Sequence, residues 1–299
     1  MFDLRYHVAS LAAVFLALII GILVGVGISD SGVVDSAKTK FLQDEVASLQ
    51  RRLDNKSTQS ADQARDRVAA QTFINETYPA LARNRLKGKQ IAVVFVGSDD
   101  KGGIRSSVST ALTDAGAQQV RLRALNVPVD VTQLDAALKN QPAAAGLRGK
   151  ANLEALGRAL GQELVLGGDT PLWDSLTGTT SLVQHRLGGS KMSADGVVVV
   201  RTASPQRGGT TKFLLGLYEG LGSTSAPAVG VEQTDAADSA TAIFRRGGLS
   251  TVDDVDTRVG RLALVLLLAG QPGGQYGVKD SANDGALPPQ PTRPATAGG

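Results

Sequence analysis

IAVVFVGSDDKGGIRSSVSTALTDAG, residues 91–116, sets the fold. Ile91–Val96 is a short apolar run of the kind that forms a strand buried on both faces. Gly97–Gly103 is rich in glycine and polar residues and reads as a turn. Ile104–Ala115 then has the spacing of a helix, which Gly116 ends. A strand, a turn and a helix in that order open an α/β unit.

The pattern repeats downstream. Gln119–Leu125 reads as a strand, Val131–Leu138 and Leu153–Glu163 as helices, and Leu164–Leu166 as a strand ending in Gly167-Gly168. Val197–Val200 is a strand, Thr211–Leu221 a helix, Ala228–Val231 a strand and Val255–Ala269 a helix. Short apolar strands alternating with helices predict a largely parallel sheet covered on both faces. A transmembrane β-barrel would need many alternating segments of about ten residues. Only Gln119–Leu125 approaches that pattern.

Upstream, Val8–Ile28 holds 21 residues without a charge. At about 1.5 Å per residue such a helix spans ~30 Å, the hydrocarbon thickness of a bilayer. Ala9, Ala13, Ala17, Gly21, Gly25 and Ser29 recur at every fourth position, and Gly21–Gly25 is a GxxxG motif. Ala13, Ala17, Gly21 and Gly25 form the face expected to meet another membrane helix closely. A cleaved signal peptide is the rival reading. Its apolar region is ~7–15 residues and ends at an A-x-A-like site, which Gly25-Val-Gly27 matches poorly. An uncleaved, single-pass anchor is therefore expected. The Lys and Arg residues flanking the run do not fix its orientation. Leu262–Ala269 is too short for a second span and suits a buried core helix.

Residues 31–86 read as a helical stalk. Leu42, Val46, Leu49 and Leu53 are spaced 4, 3, 4, a heptad seam. The seam fits either an oligomerising coiled coil or a solvated connector helix. The fold class expected is thus α/β with three parts ahead of a tail. These are a transmembrane anchor (1–30), a helical coiled-coil stalk (31–86) and a parallel-sheet α/β domain (87–270). The tail, 271–299, carries five prolines and six glycines in 29 residues and is expected to be disordered.

Chemistry is sparse. Net charge is +3, and no basic stretch is interleaved with aromatics, so nucleic acid is not an expected partner. There is no cysteine, which removes disulfides and thiolate ligands. There is no G-x-S-x-G, and His185 is the only histidine outside the N-terminal tail, so no enzyme is expected. The turn Gly97–Gly103 lacks G-x-G-x-x-G and reads as an ordinary strand-to-helix turn. Asp253, Asp254 and Asp256 suit a hard cation or the start of the last helix, and the helix start is favoured. His7, His185 and Met192 are weak metal candidates that nothing in the sequence brings together. No cofactor is expected.

Three segments carry a family resemblance. They are Met1–Gly21 (MFDLRYHVASLAAVFLALIIG), Tyr78-Pro79 through Gly88 with the strand Ile91–Val96, and Ser250–Thr257 (STVDDVDT) with Gly260-Arg261. Together they resemble the actinobacterial family named for mycobacterial copper transport protein B. Asp254 stands where that pattern has Asn. Gln275-Tyr276-Gly277 replaces His-Tyr-Gly, so one imidazole is missing. The resemblance implies an envelope protein of copper homeostasis, described as an outer-membrane channel, with copper as transported ion rather than cofactor. The partners expected are a lipid bilayer, further copies of the chain and another envelope protein. The alternative function is a non-catalytic scaffold whose α/β domain binds another protein or a wall component. The α/β domain is expected outside the cytoplasm, with inner or outer membrane left open.

Overall fold

The computed structural model describes residues 4–29, 33–97, 103–178, 183–187 and 191–289. The chain forms two compact units, Met1–Ala70 and Gln71–Gly299.

The first unit is helical. α1 is Leu4–Ser29, and within it Val8–Gly27 is long and apolar enough to cross a membrane. α2, Val33–Ala82, is one long helix whose last turns belong to the second unit. Leu42, Val46, Leu49 and Leu53 are 60, 58, 51 and 68 % exposed.

The second unit is the expected α/β domain. Its strands are β1 (Gln90–Val96), β2 (Gln118–Leu125), β3 (Val183–Leu187), β4 (Gly196–Arg201), β5 (Ala228–Val231), β6 (Ser250–Val252) and β7 (Gln275–Tyr276). Among the described residues they make one sheet in the order β3-β2-β1-β4-β5-β6-β7. All pairs are parallel except β2–β3, which places His185 opposite Arg123. The chain leaves β1 toward β2 and returns to place β4 on its other side. This reversal is the point where doubly wound sheets open a crevice at their strands' C-terminal ends.

The helices are α3 (Ile104–Asp114), α4 (Val131–Ala137), α5 (Leu153–Val165), α6 (Pro171–Gly178), α7 (Gly208–Gly222), α8 (Thr241–Arg246) and α9 (Arg258–Leu268). α3 and α9 cover one face, over Ile91, Val93, Phe95, Val198 and Val200. α4 to α8 cover the other, over Ala92, Val94, Val96, Val197 and Val199. The end of α2 packs on α9 through Tyr78, Ala82, Leu262 and Leu266. There the Tyr78 hydroxyl donates to Asp114 Oδ2 at 3.0 Å, under the Arg261 guanidinium at 5.8 Å from the ring centre.

α5 and α7 meet through glycine. A Cβ on Gly157 would strike the Phe213 carbonyl, and one on Gly161 the Leu217 carbonyl. Reciprocally, Gly216 and Gly220 face the Glu154 and Arg158 carbonyls with no room for a side chain. Gly157-x-x-x-Gly161 and Gly216-x-x-x-Gly220 are thus interlocking small-residue motifs, close enough for backbone-to-backbone contact.

Three expectations are corrected. Leu164–Leu166 is not a strand: α5 continues to Val165, because Leu153, Leu156, Leu160 and Leu164 bury one helical face. Spacing over the whole segment outweighs three apolar residues at its end. The last helix begins at Arg258, where the Thr257 side chain accepts from the Gly260 amide as N-cap. The segment after 270 is ordered to 289, carrying β7 and the buried Tyr276. Proline and glycine content reflects turns there, not disorder. Residues 290–299 lie outside the described residues.

A buried arginine and a half-buried glutamate explain why α5 and α6 end and begin where they do. Arg121 and Arg123, on β2, are 1 and 2 % exposed. Arg121 donates to the carbonyls of Leu164 (2.9 Å) and Leu166 (3.2 Å) at the C-terminus of α5. Glu163 accepts from the amides of Leu172 (2.9 Å) and Trp173 (3.0 Å), in the first turn of α6. Each charge meets the helix pole of opposite sign and satisfies groups a helix end leaves without partners. Burial pushes both guanidiniums down and the Glu163 carboxyl up from their ordinary values.

Candidate functional site

Several polar side chains of the second unit gather at the C-terminal edge of the sheet. After β1, Gly97 takes φ +109° and lies so close to β4 that a Cβ would stand 2.7 Å from Thr202 Oγ1. The amides of Thr202 and Ala203 both donate to the Val96 carbonyl, at 3.0 and 3.1 Å. These bonds tie the two strand ends at the reversal point. A recess of about 300 Å³ opens beside them, lined by Ile104, Arg201, Thr202, Ser204, Glu232, Asp235 and Asp238 among others. Of the turn Gly97–Gly103, only the two end glycines belong to the described residues.

Glu232 follows β5 and is 2 % exposed. Its carboxylate accepts from Lys279 Nζ at 2.7 Å, from Ser239 Oγ at 2.9 Å and from the Ala240 amide at 2.6 Å. Lys279 Nζ also donates to the Gln233 carbonyl at 2.7 Å. A buried acid with this many donors is compensated rather than reactive.

The three aspartates hold three different segments. Asp253 accepts from the Val278 amide (2.9 Å), the Lys279 amide (3.3 Å) and Ser281 Oγ (2.9 Å). Gly277, at φ +140°, leaves space that a side chain would fill by striking the Asp253 carboxylate. Asp256 Oδ1 accepts from the amide and hydroxyl of Thr234, at 2.7 and 3.1 Å. Asp254 is fully buried; one oxygen accepts from Thr257 Oγ1 at 2.8 Å and the other has no partner. Burial, with Asp253 and Asp256 adding to it, pushes the Asp254 carboxyl above the usual carboxylate range against the pull of the Thr257 bond. The trio is a structural knot before α9. Among the described residues, no three His, Cys, Asp or Glu side chains are grouped to hold a metal ion.

The metal candidates stay apart. His185 sits in β3 at the sheet edge. Met192 is 57 % exposed, and its Sδ accepts from Gln90 Nε2 at 3.2 Å, at the opening of β1. His7 lies in α1, and the side chains of both histidines fall outside what is described. Ala13, Ala17, Gly21 and Gly25 are exposed along α1.

Sequence reasoning missed a second recess of about 210 Å³ on the other side of Arg201, between α7 and α8. It is lined by Arg201, Gln206, Leu214, Tyr218, Ile243 and Arg246 among others. Its charged residues come from the end of β4 and the end of α8, 45 positions apart, so no local motif announces it.

These elements define a doubly wound α/β domain that follows a long helix and an apolar helix of membrane-spanning length. The chain belongs to the family described as "Copper transport outer membrane protein, MctB", whose model matches residues 1–287. Membership makes it a copper-transport-related envelope protein. Comparison with curated proteins gave no match.

Proposed function

We propose that this chain is a membrane-anchored, non-catalytic component of envelope copper transport that acts as a homo-oligomer. Val8–Gly27 carries the reading: 20 residues long, apolar and exposed along its whole length, it suits lipid better than water. One helix encloses no pore, so passage of copper requires several copies. The exposed seam Leu42, Val46, Leu49 and Leu53 on α2 is where copies would join. Copper is the cargo. Weak, passing contacts suit conduction better than a tight ligand set. The α/β domain lies outside the cytoplasm in this reading, and the family's description as an outer membrane protein favours the outer membrane.

Membrane fractionation and copper flux test this together. The full-length protein should resist carbonate extraction and, in proteoliposomes, carry copper in proportion to its oligomer content. Mature protein beginning near Ser29 would sink the anchor. Intact insertion without flux would leave the scaffold reading, which the same exposed seam favours as a surface for another envelope protein.

A further inference from the structure

The recess between α7 and α8 has the features of a built anion site. Its floor includes Tyr218, which is fully buried and whose hydroxyl has no hydrogen-bond partner. A buried hydroxyl left without a partner costs about 1–3 kcal/mol, so it marks a place where a group from outside the chain belongs. The ring is held rigidly. It stands edge-on to Phe244, centroids 5.1 Å apart at 72°, and Gly247 lies so near that a Cβ there would strike the Tyr218 Cβ, at the base of the ring.

Charge selects the ligand. The lining carries Arg201 and Arg246 and no carboxylate. The Arg246 side chain makes no hydrogen bond or ion pair among the described residues, and the Arg201 guanidinium uses one nitrogen, on the Asp238 carbonyl at 2.7 Å. Other polar groups are spoken for: Ser239 Oγ bonds Glu232, and Gln206 Nε2 donates to the Ser204 carbonyl at 2.8 Å. The donors left are two guanidiniums and one phenol. Guanidiniums present paired N–H groups that match phosphoryl oxygens. Pro205, Leu214, Ala242 and Ile243 supply an apolar wall beside them. At about 210 Å³ the space takes a small molecule, not a polymer.

We propose that this recess binds a small soluble phosphomonoester, its phosphoryl group bridging Arg201 and Arg246 above the Tyr218 hydroxyl. The neighbouring recess on the far side of Arg201 bears Glu232, Asp235 and Asp238 and repels the same ligand. The proposal stands apart from copper transport and does not depend on it.

Full-length protein in detergent should be titrated with sn-glycerol 3-phosphate and, separately, inorganic phosphate by calorimetry. Saturable binding of the ester is expected. Arg246→Gln, on the surface, and Tyr218→Phe, which keeps the ring contact with Phe244, should each weaken it tenfold or more. Ala242→Leu should block it by filling the recess while leaving every charge in place. Circular dichroism of each variant establishes that it is folded. No saturable binding of either probe by the wild type overturns the proposal. So does binding that Tyr218→Phe and Ala242→Leu leave unchanged, because the anion would then sit on surface arginines alone.

Discussion

Glycine recurs at every fourth position in two regions of this molecule, with opposite structural results. In α5 and α7, Gly157, Gly161, Gly216 and Gly220 are each filled by the backbone of the facing helix. In α1, a Cβ at Gly21 or Gly25 would meet no heavy atom within 4 Å. The spacing says that a helix can be approached closely. It does not say by what. Within the α/β domain the approaching helix is part of the same chain, and water drives the pair together with its flanking Leu and Phe residues. Around Gly21 and Gly25 no such backbone stands among the described residues.

The strongest way to break the contrast is to fill a closed site. Gly216→Leu places a side chain against the Glu154 backbone, which has no flexible end to yield. The domain should lose about 3 kcal/mol or more, the upper range for overpacking. Urea unfolding followed by Trp173 fluorescence reads this, since the indole is buried with Nε1 donating to the Leu160 carbonyl. An unchanged midpoint would mean that α5 and α7 are not locked.

Filling the open site should leave folding alone and change association. Gly21→Ile with Gly25→Ile should lower cross-linked oligomers in membranes, and adding Leu49→Glu should abolish them by placing charge in the α2 seam. Trp173 unfolding should match the wild type in both. If the triple variant cross-links as before, the copies meet elsewhere.

A third close approach sharpens the point on a smaller scale. Gly260 lies against the Asp254 carbonyl and carboxylate, with no space for a Cβ. Because burial raises the Asp254 pKa in the folded chain, its protonated form favours folding. The benefit is present in full below the unfolded-state pKa and is lost as pH rises through the folded value. Asp254→Asn cannot ionise, so it should stabilise the domain by about 1 kcal/mol at pH 7. The gain should vanish in acid. A stability difference independent of pH would assign the effect to shape instead of charge.

The least effect is expected from the metal candidates. Replacing His185 and Met192 together should leave copper tolerance unchanged at equal protein abundance, because Met192 lies exposed by the opening of β1 and His185 sits in the edge strand. A large loss would show that they converge on copper in the assembled protein.

How far these features could be read in advance follows from their range along the chain. β1, β4 and β5 are apolar runs and β2 an alternating one, all beside helices of regular spacing, and their order alone implied the parallel sheet. β6 and β7 are three and two residues long and are held by neighbours more than by their own composition. α6 depends on Glu163, half-buried, and the end of α5 on Arg121, fully buried, two charges that look like surface residues in a linear reading. The glycines of α5 and α7 pass for weak points of a helix until the partner is seen. For the site, the turn after β1 and the aspartates before α9 were visible as motifs, and the latter proved to be fastenings. The recess containing Tyr218 is assembled from three separated segments. Neither arginine is unusual in its own neighbourhood.

The bonds made by residues 277–281 also impose an order on biosynthesis. Glu232 and Asp253 are enclosed by strands that precede them or follow soon after, yet the Lys279 ammonium, the Val278 and Lys279 amides and the Ser281 hydroxyl come last. A polypeptide emerging from the ribosome or a translocon therefore has its sheet before it has the donors that two of its acids require. A fragment stopped at residue 270 should be cleaved readily by proteases, and the full chain should resist them. Residues 278–281 thus close over two acids that the earlier strands leave short of donors.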